Sequence, residues 1–308
     1  MDAAFQIVVL GCTGGPRENN LSGYLFSPLD TQQWIALDAG SLMCGIDIAL
    51  AKNSLQDVPF TDPLLTQTGE MHAHHLKAYL LSHAHLDHIS GLVLNSQADS
   101  KKYILGTDST INDLKNHIFN NRIWPNYGNE GSDPILGLYT YLRLELHKRQ
   151  HIPDTNLTVE PFVLSHPHNY ASTAFLIEYK GKHVVYFGDT ASDQFESERH
   201  LNTIWERIAP LIRENVLHGL LLECSFPHRD AKQVVYGHLD THLMMQELHR
   251  LQEKAQVPLK GLKVLVTHRK ECLKQGIDSL LKIQQELTSS NDLGISFFFP
   301  TQGDRFTF

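Results

Sequence analysis

Ser82-His83-Ala84-His85-Leu86-Asp87-His88 puts four metal-binding side chains, His83, His85, Asp87 and His88, into six consecutive positions. A regular helix or strand cannot turn all four toward one ion. A loop at a strand end can splay them, His83 and His85 toward one ion and Asp87 and His88 toward a second. The flanks fit that picture: the apolar run Ala78–Leu81 reads as a short buried strand entering the motif, and the small residues Ser90-Gly91 follow it. Imidazole and carboxylate suit zinc, manganese or iron better than an ion that prefers soft thiolates. A solvated polar loop with three histidines is the bland alternative, and the preceding strand and the HxHxDH order weigh against it.

A pair of ions needs further ligands, and three candidates stand where strands end. His166 closes the run Phe162–Ser165, Asp189 follows His183–Phe187 within Gly188-Asp189-Thr190, and His268 follows Lys263–Thr267. Any one of them alone is a weak signal; the repeated placement is the argument. Asp189 is the natural bridge, because its two oxygens can serve two ions held about 3.5–4 Å apart. His168, two positions beyond His166, reads as a turn residue. Asp38, in Leu37-Asp38-Ala39-Gly40, is positioned to buttress the His loop through hydrogen bonds, although an Asp there also suits a simple turn.

Outward from these residues the chain alternates short strands and helices twice over. Gln6–Leu10, Tyr24–Phe26 and Trp34–Leu37 read as strands before the motif. Phe162–Leu164, the hairpin Ala174–Tyr179 with His183–Phe187, and the apolar runs Leu220–Leu222, Val264–Val266 and Ile295–Phe299 follow it. Helices are expected over Thr107–Phe119, Leu201–Val216, Thr241–Gln252 and around Cys272–Leu287. The glycines of Gly11–Gly15 are turn residues, lacking the spacing of a phosphate-binding loop. With no linker between the halves, the expected architecture is α/β: two sheets face to face with helices outside, an αββα sandwich. The whole of 1–308 is read as one catalytic domain with insertions near 45–75 and 115–155.

Composition bounds the function. The 308 residues carry 42% hydrophobic and 19% charged side chains, an ordinary globular balance, and a formal charge of −8. An acidic chain is poorly suited to gripping long nucleic acids, whose affinity comes from phosphate neutralisation. Histidine is abundant at 19 residues. Cys12, Cys44, Cys224 and Cys272 lack CxxC spacing and read as free, structural, buried thiols in a reducing compartment. No run approaches the ~20 apolar residues that span a bilayer, and Met1-Asp2-Ala3-Ala4 lacks a basic leader region, so the chain reads as cytoplasmic with no membrane partner.

The motif together with His166, Asp189 and His268 resembles the metallo-β-lactamase superfamily. The longer stretch His83-Ala84-His85-Leu86-Asp87-His88-Ile89-Ser90-Gly91-Leu92-Val93-Leu94-Asn95-Ser96 is similar to the signature of class II 3′,5′-cyclic-nucleotide phosphodiesterases. So are Leu10-Gly11-Cys12-Thr13-Gly14-Gly15-Pro16, Ile118–Asn126 and Ser172-Thr173-Ala174-Phe175-Leu176-Ile177. Gln97 departs from the signature, which usually has a small residue or proline there.

The resemblance implies the metallo-β-lactamase fold and two divalent ions, usually zinc, with hydrolysis of cyclic AMP or cyclic GMP to the 5′-nucleotide. Carried over by motif, one ion takes His83, His85 and His166, the other Asp87, His88 and His268, and Asp189 bridges. In the expected mechanism a metal-bridging water, acidified to hydroxide, attacks phosphorus in line. The catalytic group is Asp87, His238 and Glu223. His238 is the candidate proton donor to the ribose 3′-oxygen, and Glu223 is the residue that orients it. Asn120, Trp124 and Asn126, with Phe119, are candidates for the base pocket, while Trp124 serves equally well as a core anchor. Three other functions share some of these features. They are a tRNA 3′-processing-type nuclease, a thioester, lactone or β-lactam hydrolase, and a non-catalytic cyclic-nucleotide sensor. A homodimer is compatible with the insertions.

Overall fold

The computed structural model describes residues 2–167, 170–195, 199–229 and 236–308. One sheet contains β1 (Phe5–Gly11), β2 (Gly23–Pro28), β3 (Trp34–Ala39), β4 (Leu76–Leu80), β5 (Lys102–Gly106), β6 (Tyr139–Arg143) and the C-terminal strand β14 (Arg305–Thr307), in the order β14-β1-β2-β3-β4-β5-β6. The other contains β7 (Gln150–His151), β8 (Thr158–His166), β9 (Tyr170–Tyr179), β10 (Lys182–Phe187), β11 (Leu217–Glu223), β12 (Lys263–Thr267) and β13 (Ser296–Phe298), in the order β13-β12-β11-β10-β9-β8-β7.

Alternation of side chains sorts the strands' apolar residues onto two faces. Phe5, Ile7, Val9, Phe26, Ile35 and Leu37 from the first sheet meet Phe175, Ile177, Val184, Leu221 and Leu265 from the second in a shared core between the sheets. The opposite face of the first sheet, with Val8, Leu10, Trp34 and Ala36, is covered by α1 (Met43–Ala51), α3 (Leu86–Asn95) and α4 (Asp108–Asp113), through Ile46, Ala49, Ile89, Leu92 and Ile111. The short α2 (Gln67–Glu70) lies between α1 and α3 in sequence. The second sheet's outer face is covered by α5 (His200–Arg213), α6 (Thr241–Ala255) and α7 (Ser279–Ser289), with Trp205, Ile208, Met244, Leu248 and Ile283 buried against it. The expected αββα sandwich is the observed architecture.

Parallel pairing and the helical connections place the functional edge. β3, β4, β5 and β6 pair in parallel, as do β10, β11, β12 and β13, and each successive pair is joined through at least one helix. Parallel strands joined in this way present all their C-terminal ends on one edge, where the loops into the helices gather.

Several local expectations differ from the structure. The helix read around Cys272–Leu287 starts only at Ser279, where Asp278 caps it by accepting the Leu281 N–H, and Gly276 takes a left-handed turn just before. The helix read over Thr107–Phe119 is α4 followed by a π-helical turn, Leu114–Ile118. Part of the stretch 115–155, expected as an insertion, is sheet, since β6 pairs with β5 and β7 with β8. All four cysteines are unpaired, but only Cys12 and Cys224 are buried; Cys44 is exposed and Cys272 half-buried. Among the described residues, no helix is long and apolar enough to cross a membrane.

Leu221 is fully buried in the core between the sheets. Truncation there removes apolar burial and leaves a cavity, so Leu221→Ala is expected to lower unfolding free energy by about 2–5 kcal/mol, read from the urea midpoint at constant m-value.

Candidate active site

β4 ends at Leu80, and the chain passes through Leu81–His85 before α3 begins. His83 and His85 lie in the expected loop, but Asp87 and His88 occupy the first turn of α3, a helix the sequence reading did not include. The start of a helix, with its unpaired N–H groups and positive dipole end, is a favourable place for the Asp87 carboxylate.

Five strand ends deliver the remaining groups. Asp38 sits in β3 near its C-terminal end, and His166 and Glu223 are the last residues of β8 and β11; Asp189 and His268 lie just beyond β10 and β12. Together they assemble two sets of donor atoms, each within 4.8 Å: His83, His85, His166 and Asp189, then Asp87, His88, Asp189 and His268. Asp189, only 2% exposed, belongs to both. Its Oδ2 lies 3.7 Å from Nε2 of both His83 and His166, while its Oδ1 lies 3.2 Å from His88 Nε2 and 3.3 Å from His268 Nε2. Asp87 Oδ2 approaches His268 Nε2 at 3.1 Å, and His85 presents Nδ1 at 3.3 Å from His166 Nε2.

The other ring nitrogens are held from outside. Asp38 accepts from His88 Nδ1 at 2.7 Å, from Ser82 N at 2.7 Å, from Ser82 Oγ at 2.6 Å and from the Tyr186 hydroxyl. Ser82 Oγ in turn faces His83 Nδ1 at 2.9 Å. Gly237 O accepts from His166 Nδ1 at 3.0 Å, and Ser225 Oγ faces His268 Nδ1 at 3.0 Å while donating to Glu223. With Nδ1 so engaged, the Nε2 lone pairs of His83, His88, His166 and His268 point inward. The His85 ring lies flat on Tyr170, centroids 4.6 Å apart and planes 8° from parallel. The Tyr170 hydroxyl accepts from Ala84 N and donates to Asp113.

This arrangement fits divalent cations. Buried His83 Nε2, His88 Nε2 and Asp189 Oδ1 have no hydrogen-bond partner, a costly state for polar atoms unless a cation occupies the space between them. Burial lowers the proton affinity of His83 and His268 and takes His166 down to about 4, so these rings are neutral and can donate lone pairs. Burial also disfavours a charged His88, yet the carboxylates of Asp189, Asp87 and Asp38 overcome it and raise its pKa, showing how strongly the pocket draws positive charge.

Glu223 and His238 form a third unit beside the two sets. His238 Nδ1 is 2.9 Å from Glu223 Oε1 and 3.8 Å from Asp189 Oδ2, and its ring stacks on His268 at 5.1 Å. Burial, reinforced by the Asp189 carboxylate, pushes Glu223 up to about 7, while burial takes His238 down to about 4. Glu223 is further fixed by N–H donors from Thr190 and Ser225.

The expected base-pocket residues go elsewhere. Asn126 is fully buried, its amide nitrogen donating to Glu130 O and Ser132 O and its oxygen accepting from Gly128 N, so it is a loop staple and not a reader of bases. Asn120 spends its amide on Asn116 O and on the N–H groups of Arg122 and Ile123. Trp124 donates to Ser96 Oγ and packs on the outer core, which favours the anchor reading. His168 lies outside the described residues. The sequence reading missed Ser82, Ser225, Tyr170, Tyr186 and the Gly237 carbonyl. Only the two serines, each adjacent or nearly so to a ligand or acid, carried any local signal. Gly14 was read as a turn glycine, yet a Cβ there would meet the His268 ring at 2.2 Å, so the position also makes room for that histidine.

The two packed sheets and their helices form the metallo-β-lactamase fold, with a site whose donor sets suit divalent ions. The metallo-β-lactamase-fold protein YhfI of Bacillus subtilis superposes with a TM-score of 0.61 at 19% identity, covering 99% of this chain and 100% of that one. A family model described as cAMP phosphodiesterases class-II matches residues 4–303, and the chain belongs to that family. It is 37% identical to a probable 3′,5′-cyclic-nucleotide phosphodiesterase of Yersinia pestis, over 98% of this chain and 89% of that protein. Unliganded yeast PDE1 matches at 26% identity with a TM-score of 0.82, covering 99% of both chains. The enzyme class expected from the signature, class II 3′,5′-cyclic-nucleotide phosphodiesterase, is therefore the class shown.

Removing the Asp38 carboxylate strands the donors from Ser82, His88 and Tyr186. Asp38→Ala is expected to weaken zinc binding about 10–100-fold in competition with a chromogenic chelator, a loss typical of groups that orient metal ligands. Unchanged affinity would show that Asp38 does not position His88.

Proposed function

We propose that this chain hydrolyses 3′,5′-cyclic AMP, and cyclic GMP as a second substrate, to the 5′-nucleotide with the help of two divalent ions, zinc in preference to manganese or iron. The observation that carries this reading is Asp189, whose two oxygens face two different donor sets. His83, His85 and His166 would hold one ion, Asp87, His88 and His268 the other, with Asp189 common to both. When bound, such a pair acidifies water and neutralises charge on the phosphoryl oxygens.

The remaining steps fall to the protein's own groups. Water adds to phosphorus, the bond from phosphorus to the 3′-oxygen breaks, and that oxygen must gain a proton to leave as the 3′-hydroxyl. His238 is placed to supply the proton from Nε2 when Glu223, pushed up to about 7, is protonated and donates to Nδ1, which leaves the neutral ring's own proton on Nε2. As Nε2 gives up that proton, Glu223 passes its own to Nδ1 and becomes the carboxylate. Asp87, 25% exposed on its side chain, is the most accessible carboxylate of the second donor set, and its catalytic role is to hold the second ion.

One catalytic domain over 1–308 is part of this reading, supported by the core shared between strands of both sheets. The free thiols support a reducing, cytoplasmic setting.

Two outcomes are expected. Zinc-loaded protein should release 5′-AMP from cyclic AMP, identified by chromatography; 3′-AMP as product, or no turnover with both ions bound, would refute the reading. His238→Ala should keep its metal but lose about 10²–10⁴-fold in kcat, whereas a stripped His85→Ala protein should lose activity together with metal.

A further inference from the structure

His268 is followed by two cations, Arg269 and Lys270, which face different surroundings. Arg269 is buried and turns its guanidinium to the Pro300 carbonyl. Lys270 is half-buried, and its backbone N–H donates to Ser225 O at 3.0 Å, which fixes it beside the Ser225 that links Glu223 to His268. Its Nζ donates to Gly14 O at 2.9 Å, and Gly14 is the residue pressed against the His268 ring. The ammonium is thus anchored on the loop that covers one of the metal-set histidines.

Among the described residues Lys270 has no carboxylate within ion-pair distance, and a single carbonyl engages one of its three donors. The adjacent acid, Glu271, is turned to Arg17 at 2.7 Å. A partly desolvated ammonium held next to a catalytic cluster without a counter-charge is set up for an anion. Lysine acts as a compact point charge, suited to one oxygen of a phosphate.

We propose that Lys270 binds the substrate's phosphate, its ammonium holding a non-bridging oxygen of the cyclic phosphodiester and then of the 5′-phosphate product. This rests on the phosphodiesterase reading above, and it gives the site a specificity element for anionic phosphoryl groups that is separate from the metal ligands.

The experiment compares wild type, Lys270→Met and Lys270→Arg, each loaded with zinc and checked for metal content and thermal unfolding. Calorimetric titration with inorganic phosphate and kinetics on cyclic AMP are then run at two salt concentrations. Lys270→Met is expected to weaken phosphate binding and raise KM about tenfold, with metal content unchanged. Lys270→Arg should recover most of the loss, and the wild-type phosphate affinity should fall more steeply with salt than that of Lys270→Met. Equal phosphate affinity in wild type and Lys270→Met, or loss of zinc from Lys270→Met, overturns the proposal. If wild type turns over no cyclic nucleotide yet binds phosphate in a Lys270-dependent way, the anion site stands and the substrate assignment alone fails.

Discussion

A carboxylate at 2% exposure between two groups of inward-facing imidazoles is the constraint on which the site depends. Burying the Asp189 charge is costly unless cations and hydrogen bonds compensate it. The neighbouring rings do not donate both their nitrogens to it, because Nδ1 of His83, His88, His166 and His268 is engaged elsewhere. What is left around Asp189 is a concentration of lone pairs that only positive charge can make stable.

The fold exists to hold that arrangement. Asp38 and the His83 loop come from one sheet, Asp189, Glu223 and His268 from the parallel edge of the other, and the core between the sheets fixes their separation. Two of these residues, Asp38 and His268, have positive φ, 52° and 53°, in a region costly for side chains other than glycine. Backbone strain of about 1–3 kcal/mol per residue is tolerated where surrounding contacts over-determine it. Asp38 has four donors around it, and His268 is tied by Ser225, by Asp189 and by the fit against Gly14. The same packing links the two clusters, since the Ser225 that steadies His268 also donates to the Glu223 that holds His238.

Much of this was legible in the sequence because the signals were local. HxHxDH is dense enough to stand out, and strand ends can be read from apolar runs, so His166, Asp189 and His268 could be picked by position. The start of α3 was hidden because Leu86-Asp87-His88-Ile89 has no conventional cap; His85 occupies that position without a side-chain cap bond. β6 was missed because Tyr139–Arg143 follows a loop rich in Asn, Gly and Pro, and its pairing with β5 is decided by tertiary contact. Asn126 looked like a base reader because amides read bases; what decided its role was a loop that folds back on itself to use every polar atom. Tyr170, meeting the motif from 86 positions away, left no trace in the sequence at all.

The most direct test of the bridging role of Asp189 is to count and locate the metal. Elemental analysis combined with X-ray absorption on the zinc-loaded protein should give two ions per chain and a metal–metal vector of about 3.5–4 Å. A single ion per chain, or two ions with no short metal–metal vector, would contradict the account.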